Sequence, residues 1–449
     1  MRVSATAVAT ETQSKTVVWI IASLTMVLML LAPALWNRFP LIFPDVGGYL
    51  LRPMTGTLEM GRSALYGLFL YAGIPFSFWL NVILQAALTV WLIVLTLRTH
   101  GLNGRPWLAT GIVAMLTVGT SLPWFTGQLM PDILFPAAVL ALHMLVFRSE
   151  QLARSERFAL AAVIAFAIPS HMAAAGMAVG IIVALWLIAR VTKFALPKAR
   201  IALAAGAVVT GVALCPVSNY AITGNFAFTP GGSSFVFGRL VEDGIIARYL
   251  SERCPDPALQ LCGYYRDMPR DADEWLWGSD TPFHKLGGWT GYVEEQNYII
   301  GETLKRYPVM HATTAIADTF IQFFKFKTEI SVWDNAPTIG MIKDHLPQIF
   351  PSLMAARQQT ENFSMAPFNL IHVPVAALAI AGIGLALLWR RRFDIAPETA
   401  ALCITILLAL AANAAICGIF AHPVDRYQSR LVLLAPLALA LLAARRYRA

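Results

Sequence analysis

Apolar residues in this chain come in long runs, and that arrangement decides the class of fold before any other feature is weighed. Runs of about 17 to 25 apolar residues match the thickness of a bilayer core, where only segments that satisfy their own backbone hydrogen bonds can cross. Such runs occupy residues 17–36, 77–98, 107–123, 131–147, 201–222, 367–389, 397–420 and 428–444. The stretch from Phe158 to Leu187 is long for one helix and is interrupted by Pro169-Ser170-His171, which predicts two shorter helices over 157–169 and 172–190 meeting near the outer surface, with a single long tilted or kinked helix as the competing reading. The expected fold is therefore all-α, a polytopic membrane protein of about ten transmembrane helices with both termini on one side. A hydrophobic fraction of 57% with only 13% charged residues agrees, because soluble domains carry about 25% charge.

The net charge of +8 would suit a nucleic-acid partner if it formed a patch, but the basic residues gather in alternate short loops. Arg98 and Arg105 lie in one such loop, Arg148, Arg154 and Arg157 in the next, and Arg190, Lys193, Lys198 and Arg200 in a third. Arg390, Arg391 and Arg392 follow, and then Arg445, Arg446 and Arg448 in the tail. This is the positive-inside pattern, so the sequence predicts a bacterial inner (cytoplasmic) membrane protein with no nucleic-acid partner. The loops Asn37–Phe76, Pro123–Met130 and Ala421–Gln428 then face outward, as does the long loop, toward the periplasm. The run beginning near Val17 is long enough to span and lacks a convincing cleavage site, which argues against a cleaved signal peptide.

Three regions follow: 1–222, an amino-terminal transmembrane region with the first outer loop; 223–366, a periplasmic and interfacial insertion; and 367–449, the carboxy-terminal transmembrane helices. The insertion is rich in Gly, Pro, Trp and Tyr and, at roughly 140 residues, too long for a connection. Within it, Val309, Ala312, Ile316, Phe320, Phe323 and Phe324 have helical spacing and predict a helix from Tyr307 to Lys327 in the membrane interface. Cys254 and Cys262, separated by a stretch stiffened by Pro255 and Pro257, are expected to form a disulfide in an oxidising compartment. Their spacing is not that of a zinc knuckle. Cys215, Cys403 and Cys417 fall within apolar runs and read as small buried residues.

Two carboxylates stand at the edges of apolar runs. Asp45 closes the stretch Phe39-Pro40-Leu41-Ile42-Phe43-Pro44 after the first run, and Asp132 follows Gln128-Leu129-Met130-Pro131 before the fourth. An acid beside hydrocarbon is costly unless it has a partner or a function. The plainer readings are a turn-forming acid before Gly47-Gly48 for Asp45 and a helix cap for Asp132.

The order of these features resembles the GT-C superfamily of integral-membrane glycosyltransferases, which use polyprenyl-phosphate-linked sugars and include protein O-mannosyltransferases and lipid A aminoarabinose transferases. A first span is followed at once by an outer loop with an acid, then by an interfacial segment with Arg62-Ser63-Ala64-Leu65-Tyr66-Gly67, then by a paired-helix region. Pro131-Asp132-Ile133-Leu134-Phe135 stands where these enzymes often carry a second acid, and Asp425-Arg426-Tyr427 stands where they often carry Arg-Tyr. The resemblance covers the membrane half by order and placement. The central insertion has no counterpart, and Asp45 is not followed by the second acid that many members show.

The resemblance implies transfer of a sugar from a polyprenyl-phosphate-linked donor to an envelope glycan, lipid or protein acceptor at the periplasmic face, among membrane lipids. Such a donor already carries a stable leaving anion, so the protein must remove the acceptor proton and neutralise charge on phosphate. Asp45 would be the general base. Asp132 would orient the acceptor or support a divalent metal ion, the only cofactor in view. Arg426, helped by Tyr427, His171, His422, Arg239 or Arg52, would hold the phosphate, since guanidinium offers paired donors to its oxygens.

Plainer readings exist for each: a snorkelling anchor for Arg426, a helix-break residue for His171, a turn for His422-Pro423. The Gly-rich turn Pro230-Gly231-Gly232-Ser233-Ser234 before Arg239 reads as a phosphate cradle or simply a turn, and Trp275, Trp277, Trp289 and Tyr292 as a sugar platform or an interfacial belt. Two other functions compete: a flippase or transporter of a lipid-linked saccharide, and a non-catalytic assembly subunit. The absence of a visible internal repeat weighs against an inverted-repeat transporter.

Overall fold

The computed structural model describes residues 5–57, 59–191, 196–330, 336–361 and 363–446; Lys193 and Arg448 lie outside them. Its principal helices, numbered in chain order, are α1 (Ala5–Leu30), α2 (Val46–Thr55), α3 (Ala64–Ala72), α4 (Trp79–Thr99), α5 (Pro106–Gly119), α6 (Leu134–Phe147), α7 (Arg154–Ser170), α8 (Ala173–Val191), α9 (Ile201–Thr223), α10 (Gly232–Glu242), α11 (Pro308–Phe324), α12 (Ala336–His345), α13 (Ala366–Leu388), α14 (Pro397–Phe420), α15 (Arg426–Val432) and α16 (Leu434–Arg446). Among the described residues no β-strand forms; extended pairing is limited to one bridge between Leu41 and Gln128.

Among the described residues five helices are long and apolar enough to cross a membrane: α4, α9, α13, α14 and the α15–α16 segment Arg426–Arg446. Shorter apolar helices occupy Lys15–Leu30, Pro106–Gly119, Pro131–Phe147 and Ala173–Ile188. The run predicted at 157–169 lies in α7, whose first turn carries Arg154, Glu156 and Arg157. The described residues are thus all-helical with several apolar helices, as a multi-pass membrane protein has. Lipid-type exposure appears on these helices, with Val209, Leu378 and Leu388 at 68%, 70% and 72% exposure. In water that much apolar surface would be unfavourable; against lipid tails it is not.

At the centre stands α6, buried at every position from Leu134 to Phe147 and packed on α4, α7, α9 and α14. The predicted break between α7 and α8 is present: Pro169 falls in the last turn, and His171 is extended (φ −156°, ψ 111°) with its N–H on Ala167 O at 3.2 Å. A proline inside a helix removes one ladder donor and crowds the preceding turn, and the chain ends the helix there.

The stretch 223–366 contains two packings. Residues from Phe237 to Tyr307 build a small core of their own around Trp275, Phe237, Tyr249 and Phe283. Met341, Ile342, Leu346, Ile349 and Leu353 instead join the main membrane core. Helix α11 is the expected Tyr307–Lys327 element, and its apolar face is the outward one, as a helix at a membrane interface requires. Val309, Ile316, Phe320 and Phe324 point outward, while Asp318 and Gln322 are buried. Gln322 Nε2 donates to Val424 O at 2.9 Å and Lys325 Nζ to Pro423 O at 2.8 Å, so the polar face fastens the loop after α14.

Charges at the far end of α14 pair among themselves. Arg98 meets Glu156 at 2.6 Å, Arg445 meets Glu398 at 3.1 Å, and Arg200 meets Glu150. Glu398 opens α14, whose 24 residues span about 36 Å, so these loops sit far from the residues that close that helix.

Cys254 and Cys262 form a disulfide, and Cys215, Cys403 and Cys417 are free and buried. Closing so short a loop is worth about 2–3 kcal/mol in the chain-entropy account. Replacing both cysteines with Ser is expected to lower the unfolding midpoint of the insertion by several degrees, and alkylation without reductant should leave these two thiols unlabelled by mass spectrometry.

Candidate active site at two joined cavities

The segment before Asp45 is clamped on both sides. Leu41 N donates to Gly127 O and Leu129 N to Leu41 O, both at 2.9 Å, which ties this strand-like stretch to the loop carrying Asp132. On the other side Ile42 N donates to Gln358 Oε1 at 2.9 Å and Gln358 Nε2 to Ile42 O at 2.8 Å. From α4, Gln85 Nε2 donates to the carbonyls of Thr126 and Gln128 at 3.0 and 2.9 Å, fixing the approach to Asp132. The two acids, distant in sequence, thus hang from one hydrogen-bonded frame.

Asp45 precedes the first turn of α2 without capping it. Its Oδ1 accepts from Arg62 Nη2 at 2.7 Å, and its Oδ2 lies 3.8 Å from Arg426 Nη1. Arg62 reaches it by passing over Gly48, where a Cβ would lie 2.9 Å from Arg62 Cγ; any larger residue would displace the guanidinium. Gly61, at φ +68°, turns that loop and lets Phe235 pack where a Cβ would be 2.7 Å from its ring.

Asp132 lies in a 3₁₀ turn ahead of α6, fully buried. Its Oδ1 accepts from Arg430 Nη1 at 3.1 Å, and its Oδ2 is 3.7 Å from Arg426 Nη1. Arg430 is also wholly buried: Nη2 donates to Asn413 Oδ1 at 3.1 Å, and the guanidinium sits 3.5 Å over the Phe135 ring. Arg426 stacks on Phe43 at 4.2 Å and flanks Tyr427 at 5.4 Å. Its Nη1, between the two carboxylates, makes no hydrogen bond.

Two cavities meet at this cluster. The first, about 830 Å³, has Trp277, Trp289, Glu59, Glu329 and Asp273 on its walls. The second, about 490 Å³, is bounded by Met172, Gly176, Val236, Ile416 and Phe420 between α8, α10 and α14. Asp45, Arg62, Arg426 and Tyr427 belong to both. The combined charge of Asp45, Asp132, Arg62, Arg426 and Arg430 is positive by one, which suits an anion.

The remaining expected residues separate clearly. Tyr427 lines both cavities, His171 the second, and His422 the first. Asp132, expected to handle the acceptor, borders neither cavity; it stands behind Arg426 and anchors it. Arg239 also borders neither: it is buried against Glu242, Asp243 and Asp318, a structural knot between α10 and α11. Arg52 is buried in α2 and donates to the Arg62 carbonyl, so it holds the loop rather than a substrate. The Gly-rich turn receives Gly61 N on Pro230 O at 2.9 Å and seats Trp289 against Gly231. Trp275 and Tyr292 are core residues of the insertion, whereas Trp277 and Trp289 face the first cavity.

His422 Nε2 lies 3.2 Å from Asp273 Oδ1 and Nδ1 3.8 Å from Glu242 Oε2. Burial pulls its pKa down, but the Asp273 hydrogen bond and charge, with Glu242, outweigh burial and nearby Arg239 and leave it above its ordinary value. A raised folded pKa means that this tie contributes fully below about pH 6.5 and fades as pH climbs through the folded value. Thermal unfolding of the wild type should therefore lose a stabilising increment between neutral and alkaline pH that His422→Gln never has.

Arg62 and Arg430 join the candidate site although the sequence assigns neither a role there. Arg430 carried a signal: a cation inside an apolar run, one helical turn from Arg426, needs a partner. Arg62 is placed by tertiary packing alone. Among the described residues no three His, Cys, Asp or Glu side chains form a group that could hold a metal ion, and both acids face guanidiniums. This donor set does not fit a divalent cation. Comparison with family models, curated proteins and solved structures yields no match.

Proposed function

We propose that the protein is a membrane glycosyltransferase that moves a sugar from a polyprenyl-phosphate-linked donor to an envelope acceptor at the periplasmic face. The observation that carries the reading is Asp45 at the junction of a polar and an apolar cavity, flanked by Arg62 and Arg426. The apolar cavity suits the prenyl chain, and the guanidiniums suit its phosphate. The acceptor comes through the polar cavity.

In the transfer the acceptor hydroxyl oxygen bonds to the anomeric carbon while that carbon's bond to the phosphate oxygen breaks. The electron pair leaves on the phosphate, and the hydroxyl proton goes to Asp45 Oδ2, the oxygen not committed to Arg62. Arg426 and Arg62 neutralise the departing lipid phosphate, and the partial burial of both makes that attraction stronger than it would be in water. Asp132 and Arg430 keep Arg426 aimed.

The test is reconstitution in lipid nanodiscs, and in parallel in sealed lipid vesicles, with prenyl-phosphate sugars carrying a radiolabelled sugar. Label appearing in a product that withstands mild acid, with release of prenyl phosphate, supports the reading. Movement of the intact donor across a bilayer without bond formation would replace it with flipping, and no binding of any prenyl phosphate by mass spectrometry would leave an assembly subunit.

A further inference from the structure

The first cavity has a wall that the transfer chemistry does not need. Phe235, Trp277 and Trp289 form a cluster of rings with centroids 5.4 Å apart for Phe235–Trp289 and Trp277–Trp289. Trp277 is half exposed, and the Arg62 guanidinium lies 5.7 Å from its ring centre. Around these rings stand the carboxylates of Glu59, Asp273 and Glu329. Glu59 is oriented by Thr57 Oγ1 at 3.1 Å, and Asp273 by His422. The rings are held by backbone: Gly231, at φ +76°, leaves a Cβ position only 2.9 Å from Trp289, so that nothing larger fits beneath it.

Flat apolar rings beside carboxylates have a definite chemical complement. Aromatic faces take the C–H faces of pyranose rings, and carboxylates accept hydrogen bonds from neighbouring hydroxyls. Three acids on the cavity wall disfavour an anionic glycan. The cavity, about 830 Å³, falls within the range that encloses whole drug-sized ligands and exceeds the need of one sugar ring.

We infer that this wall is the acceptor subsite, and that the acceptor is a glycan of neutral or amino sugars whose rings stack on Trp277 and Trp289 while the terminal hydroxyl reaches Asp45. The inference rests on the glycosyltransferase reading for the word acceptor, though not for the binding itself. Selection of the glycan then becomes the role of the insertion. The loop that carries Arg62 is bonded to the turn beneath Trp289, so the catalytic acid and the sugar platform keep a fixed distance.

The experiment is calorimetry of the full chain in lipid nanodiscs, free of sugar-headed detergent, with cellotetraose, a glucosamine tetramer and tetragalacturonate. The first two should bind and the uronate should not. Trp277→Ala should weaken binding of the two glycans about tenfold or more, because truncating a stacked Trp removes a dominant contact. Equal binding of the uronate, no binding of any of the three, or unchanged affinity in Trp277→Ala overturns the inference. If Trp277→Ala raises the acceptor KM at unchanged donor KM, both readings stand. Glycan binding without any transfer keeps the platform and removes the glycosyltransferase reading, whereas transfer with an unaltered acceptor KM in Trp277→Ala does the reverse.

Discussion

Asp45→Asn is expected to reduce sugar transfer by about 10² to 10⁴-fold while donor binding persists, because a general base contributes on that scale and the amide cannot take the acceptor proton. The substitution keeps the shape of the side chain and its contact with Arg62, at 2.7 Å in the native protein, so the fold should be undisturbed. The measurement is single-turnover transfer in nanodiscs beside mass spectrometry of co-purified prenyl phosphate. If the variant transfers at the native rate, Asp45 is only a counter-ion for Arg62 and Arg426, and the base must be sought elsewhere in the first cavity.

Asp132→Ala should fail in a different manner. It strands Arg430, fully buried, and leaves Arg426 with a single distant acid. Breaking one side of a buried ion pair costs about 3–5 kcal/mol, because the other charge remains in low dielectric. A drop in unfolding temperature of several degrees in detergent is expected, with loss of transfer. A double variant, Asp132→Leu with Arg430→Met, removes both charges and should recover most of the stability, since apolar pairs of similar volume replace buried ion pairs at little cost. Activity should stay low in that variant, as Arg426 lacks its anchor. Recovery of transfer along with stability would show that Asp132 and Arg430 serve the fold alone.

Much of the architecture was legible because membrane crossing leaves so crude a mark. Each apolar run became a helix within a few residues, and Pro169-Ser170-His171 marked the break between α7 and α8. The number of full-length crossings was less legible. In 157–169 the first turn is charged, and in 107–123 the chain stops at Gly119 and restarts as a short helix from Leu122. Hydropathy over a window does not register such interruptions.

The site was legible where energy forbade an idle residue. Asp45, Asp132 and Arg426 stood out as charges at the edge of hydrocarbon, and the structure brings them together. Arg239 and Arg52 were misread, because a buried arginine beside acids or carbonyls looks the same in sequence whether it faces a cavity or a core. The division among tryptophans depended on which side of α10 each falls, and nothing in their spacing reveals that. In α11 the helical period was legible and its apolar face points outward, as an interfacial position requires, while the burial of Asp318 and Gln322 beneath it was not legible.

The common wall between the two cavities bears on the order of events in turnover. In the proposed reading the lipid-borne donor and the acceptor occupy different cavities, so neither must depart before the other arrives, and Asp45 need not carry the sugar in between. Initial-rate measurements with both partners varied should then give intersecting double-reciprocal lines, the pattern of a ternary complex, rather than the parallel lines of a ping-pong cycle.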